Sequence, residues 1–81
     1  MSIKLEICCG CAQDVIVADR AGADRVEFCS AMELGGLTPT AGMMAQATSN
    51  SKIPIMAMVR PRSCGFCYTV SELEVMKADI V

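Results

Sequence analysis

KLEIC at residues 4–8 and RVEFC at residues 25–29 spell one pattern twice: a basic residue, an apolar one, Glu, an apolar one, Cys. The first copy sits in IKLEIC (3–8), which alternates strictly, with Ile3, Leu5 and Ile7 on one face and Lys4, Glu6 and Cys8 on the other. That period of two is the mark of a β-strand, and the second copy predicts another at 25–29. Between them CAQDVIVADRA (11–21) keeps Ala12, Val15, Ile16 and Ala18 at helical spacing, and Gly22 follows where a left-handed helix end is wanted. Strand, helix and strand in that order, with near-identical strands, predict a right-handed crossover between parallel neighbours.

The alternation continues. SAMELGGLTPT (30–40) carries two glycines and a Thr-Pro and reads as a loop, with Thr38 as N-cap and Pro39 as the first helical residue. A second helix is expected from Ala41 to about Ser49. IMAMV (55–59), led in by Lys52 and Pro54 and ending in Arg60-Pro61-Arg62, is a nearly continuous apolar run suited to a strand covered on both sides. After the loop SCGFCYT (63–69), Ser71 and Glu74 have capping-box spacing and open a third helix, with Leu73, Met76 and Ile80 along its buried stripe. The order β-α-β-α-β-α predicts an α/β fold with a parallel sheet. Three strands alone would leave both edges unpaired and both faces poorly covered, so the chain reads as truncated.

Composition narrows the function classes. A formal charge of −2 argues against a nucleic-acid surface, and the apolar runs fall far short of the ~20 residues that span a membrane. The expectation is a cytosolic protein. Six cysteines then stay reduced, leaving packing, metal ligation or thiol chemistry for Cys8, Cys9, Cys11, Cys29, Cys64 and Cys67. Met43, Met44, Met56, Met58 and Met76 fall at apolar-periodic positions and read as core filler.

Aligning the repeats in a parallel sheet places Glu6 beside Glu27 and Cys8 beside Cys29, on strands about 4.8 Å apart. Adjacent carboxylates repel and need a cation. Arg60 and Arg62, two residues apart at the end of the third strand, are expected to supply one. Such charges at strand ends suit the mouth of a closed parallel barrel.

LEIC, GADRVEFC, GGLTP, VRPR with FCY after it, and the helix text SELEVMKADI together resemble the copper homeostasis protein CutC family over all 81 residues. The resemblance implies a TIM-like (β/α) barrel, with residues 1–81 as its first three βα units and the N-terminal part of a single domain, and it implies a homo-oligomer. The chain departs from the family in having Ser63, Cys64 and Gly65 where a run such as Gly-Gly-Asp is usual, and Ala41 between Thr40 and Gly42. Cys9, Cys11 and Cys64 have no family position to carry over.

Two functions follow as expectations. In the first, Cys8 and Cys29 bind copper as Cu(I), a soft ion content with two or three sulfur ligands, against the plain alternative that both thiols only pack. In the second, the barrel is an enzyme acting on a small anionic substrate. Glu6 and Glu27 are then the acid and base, Arg60 and Arg62 hold the anion, and GGLTPT adds backbone N–H groups. A buried salt-bridge network is the plain alternative. A four-thiolate zinc centre from CCGC (8–11) and CGFC (64–67) is the weaker metal reading. CGFC also has redox-pair spacing, although Tyr68 and Thr69 stand between it and the helix.

Overall fold

The computed structural model describes residues 3–80, in the order β1 (Glu6–Cys9), α1 (Ala12–Ala21), β2 (Arg25–Phe28), a 3₁₀ turn (Met32–Leu34), α2 (Ala41–Asn50), β3 (Ile55–Ala57) and α3 (Val70–Ile80). The strands form one parallel sheet in the order β1-β2-β3.

Alternation decides which face is covered. Cys9, Val26 and Phe28 are fully buried and pack with Val15 and Ala18 of α1, Ala23 and Ala47 of α2, so both helices lie on one face of the sheet. Helix α1 ends as the sequence predicts. Gly22 takes φ 99°, its N–H donates to Asp19 O (3.1 Å), and the Ala23 N–H reaches back to Ala18 O (3.0 Å). This is the paired 5→2 and 6→1 closure that a left-handed residue permits.

Four local expectations are corrected. The N-cap of α2 is Thr40, whose Oγ1 accepts from Met43 N at 3.1 Å, while Pro39 lies ahead of the cap. Thr38 is drawn off to Arg60, in the segment after β3, as described below. The capping box of α3 is Thr69 with Glu72: Thr69 N donates to Glu72 Oε1 (2.8 Å) and Glu72 N to Thr69 Oγ1 (3.1 Å). Glu74 pairs instead with Lys77, at 3.3 Å on the surface.

The other two corrections concern burial. Strand β3 is short and open: Ile55 is half-buried against the core, whereas Met56 and Ala57 are exposed. No described residue of α3 is buried, and Leu73 and Ile80 of the expected stripe are 45% and 70% exposed.

Candidate functional site

The face of the sheet turned away from α1 and α2 carries Glu6, Cys8, Arg25, Glu27, Cys29 and Met56, as the period of two requires. The pairing along it differs from the expected one. Glu6 lies opposite Arg25 and Cys8 opposite Glu27, so the strands are offset by two residues from the alignment of their sequence repeats. An even offset keeps every side chain on its predicted face and changes only its neighbour.

The cation beside Glu6 is therefore Arg25, whose Nε donates to Glu6 Oε2 at 2.6 Å. Both side chains are at least one-third exposed, and such a pair contributes at most about 1 kcal/mol. Glu27 accepts from the Cys29 thiol, Sγ to Oε1 3.7 Å. Cys29 is 2% exposed, and Gly36 presses on it: a Cβ at Gly36, where φ is 96°, would stand 3.2 Å from Sγ. Burial pushes the Cys29 thiol up from its ordinary 9.0, and the Glu27 charge and hydrogen bond add to the rise. Cys8 is exposed, and Cys9 lies on the helix-covered face, also raised, first by burial and then by Asp14.

Arg60 turns to backbone, and Arg62 to backbone and to the Glu72 carboxylate. Thr38 clamps to Arg60 reciprocally: Thr38 N donates to Arg60 O (3.1 Å), and Thr38 Oγ1 accepts from Arg60 N (2.8 Å) and donates to Arg60 O (3.1 Å). The Arg60 guanidinium gives Nη1 to Leu34 O (3.1 Å) and Gly36 O (3.2 Å) and lies 4.9 Å from the Phe66 ring centre. Its Nε is buried with no hydrogen-bond partner.

The N–H groups expected to cradle an anion are used within the loop. Gly35 N donates to Met32 O, Gly36 N to Ala31 O and Leu37 N to Ser30 O.

Arg62 uses all five of its donors. Nε and one Nη2 hydrogen go to the two oxygens of Glu72, both Nη1 hydrogens to Ser63 O (3.2 Å) and Cys64 O (2.7 Å), and the other Nη2 hydrogen to Cys67 O (2.7 Å). The Tyr68 ring centre lies 5.0 Å away. The hydrogen bond to Arg62 holds the Glu72 carboxyl below its ordinary 4.5. Among the described residues no three Cys, Asp or Glu side chains come together as a metal site, so CCGC and CGFC do not converge on a zinc ion.

Sequence reasoning missed Arg25 and Glu72 as partners. A signal for Arg25 was present, since it opens the second repeat and meets Glu6 once the strands slide by two. Glu72 lies three residues after Thr69, the same spacing as the rejected Ser71 and Glu74 pair.

With the geometry in place, comparison with other proteins decides the family. The CutC family profile matches residues 3–81. The chain belongs to the CutC family. A family protein CutC from Erwinia tasmaniensis is 52% identical over 77 residues, which are 95% of this chain and 31% of that protein. Its counterpart from Photorhabdus laumondii is 50% identical over 80 residues, again 95% and 31%. The crystal structure of CutC from Streptococcus agalactiae, provisionally named a copper homeostasis protein, superposes with a TM-score of 0.87 at 34% identity, covering 98% of this chain and 39% of that one. The chain thus spans about a third of the length of the CutC relatives it matches. Among the described residues no helix is long and apolar enough to cross a membrane.

Proposed function

We propose that this CutC family chain serves copper homeostasis in the cytosol, as the first three βα units of a (β/α) barrel that binds Cu(I) through Cys8 and Cys29. The barrel reading is supported by the apolar groove of about 330 Å³ along the free edge of β1, where Leu5, Ile7, Val17 and Ala21 await a further layer. The observation that carries the copper reading is that Cys8 and Cys29 share the face of the sheet turned away from α1 and α2 with Glu27 between them, opposite one and bonded to the other, Cys8 exposed and Cys29 covered by Gly36. Two thiol ligands suffice for Cu(I). Cu(I) would need Cys29 as its thiolate, and burial with the neighbouring Glu27 charge raises that thiol, so affinity would rise with pH.

The test is competition for Cu(I) against a chelator, comparing the full chain with Cys8→Ser and Cys29→Ser. Loss of a supporting residue around a metal site costs about 10–100-fold in affinity, and loss of a ligand costs at least as much. Unchanged affinity in both variants would sink the copper site.

A second reading rests on the buried, unpartnered Nε of Arg60. It makes Arg60 the anion holder of an enzyme acting on a small anionic compound, with Glu27 or Glu6 as acid or base. Arg62 contributes no free donor to that reading. Retention of inorganic phosphate by the chain, lost in Arg60→Ala, favours it; equal retention by the variant excludes Arg60.

A further inference from the structure

The loop after β3 holds a pair of thiols that neither reading uses. Cys64 and Cys67 are both exposed, with Gly65 and Phe66 between them. Their backbones are gathered on one group, because Arg62 Nη1 binds Cys64 O and Nη2 binds Cys67 O, each at 2.7 Å. The backbone bends at Cys64. Cys64 takes φ 66° and Gly65 φ 82°, so two successive residues lie in the left-handed region. A side chain other than glycine costs about 1–2 kcal/mol there, so Cys64 holds a conformation that a free chain seldom samples. The far end of the loop is tied down as well, through Thr69 and Glu72, and Glu72 returns to Arg62. Carbonyls converge on the guanidinium while both cysteines stay exposed, Cys64 Sγ lying 3.7 Å from Ser63 Oγ.

We infer that Cys64 and Cys67 form a dithiol–disulfide couple, oxidised by small-molecule disulfides and reduced by small thiols, with Arg62 as the residue that positions the loop. One thiolate of the pair attacks a sulfur of a small disulfide RSSR; a mixed S–S bond forms, the S–S bond of RSSR breaks and RS⁻ leaves. The second thiolate then attacks the cysteine sulfur of the mixed disulfide, the Cys64–Cys67 bond forms and a second RS⁻ leaves. Two electrons pass from the cysteines to RSSR, and the two thiol protons reach the two RS⁻ through solvent. Reduction is the reverse.

The experiment equilibrates the full chain in glutathione buffers of graded ratio, traps free thiols by alkylation and cuts with trypsin. Cleavage after Arg62 and Lys77 releases SCGFCYTVSELEVMK, which contains these two cysteines and no other. The expected result is a peptide that loses two hydrogens reversibly across the series. Its equilibrium constant in the folded chain should exceed that of the urea-unfolded chain by about tenfold, a midpoint shift of about 30 mV. Arg62→Ala, read on the longer peptide 53–77 that its lost cleavage site leaves and that still holds only these two cysteines, should move the folded value towards the unfolded one, while Arg25→Ala, remote from the loop, leaves it in place. A peptide that stays doubly alkylated at the most oxidising ratio, or pairs instead with Cys8 or Cys11, overturns the inference. Equal constants for folded and unfolded chains overturn the positioning by Arg62.

Discussion

The first two βα units and the third are built from the same alternation of strand and helix, yet they are held by different forces. Helices α1 and α2 place Val15, Ala18 and Ala47 in a core with Val26 and Phe28, while α3 buries none of its described residues. What α3 has instead is polar: a reciprocal cap between Thr69 and Glu72, and the grip of Arg62 on Glu72. Apolar burial is cooperative across the sheet, whereas a cap and an ion pair act within one turn. Damage in the first region should spread, and damage in the third should stay local.

The largest effect that sharpens this contrast is expected from Phe28→Ala. Removing a fully buried ring costs about 3–5 kcal/mol, seen as a lower denaturant midpoint for the whole chain, while Leu73→Ala on exposed α3 should stay within about 0.5 kcal/mol. Comparable losses from the two would break the comparison. Thr69→Ala comes next, with about 1 kcal/mol of helix-end stabilisation lost. Amide exchange should quicken in α3 and remain slow in α1; slowing or speeding of both together would show that α3 is coupled to the core.

The smallest effect is expected from acid. The Glu72 carboxyl lies below its ordinary 4.5 in the fold, so its contribution is complete above that pH and is lost as pH falls through the depressed value. Protection of α3 should drop in that window before the core unfolds, and Glu72→Gln should remove the pH dependence.

How far the sequence could be read follows the same line. Face assignment was legible, because the side-chain period of a strand is two: Glu6, Cys8, Glu27 and Cys29 share one face and Ile7 the other, although on the edge strand Ile7 stays 38% exposed. Neighbour assignment was not. The repeats suggest matched strands, but a slide of two residues keeps every face and is not encoded by the repeat, and that slide gave Glu6 an arginine and Cys8 a carboxylate.

The arginines mark a second limit. Charge and spacing at 60 and 62 point to an anion, and Arg62 finds one in Glu72, but the other partners, at Leu34, Gly36, Ser63, Cys64 and Cys67, are carbonyls, which every residue type carries. Helix starts erred for a related reason, since several hydroxyl and carboxylate residues stand near each end and tertiary bonds choose among them. Thr38 could cap α2 by sequence, yet Arg60 takes it.

The contact between Gly36 and Cys29 turns that thiol into a clock. The loop over it is fixed by Arg60 through Leu34 and Gly36 and by the double clasp of Thr38, so a bulky reagent reaches Cys29 only when these bonds release together. The rate at which Cys29 is labelled therefore counts loop openings, and ranking it against Cys8 in one sample separates opening frequency from reagent chemistry.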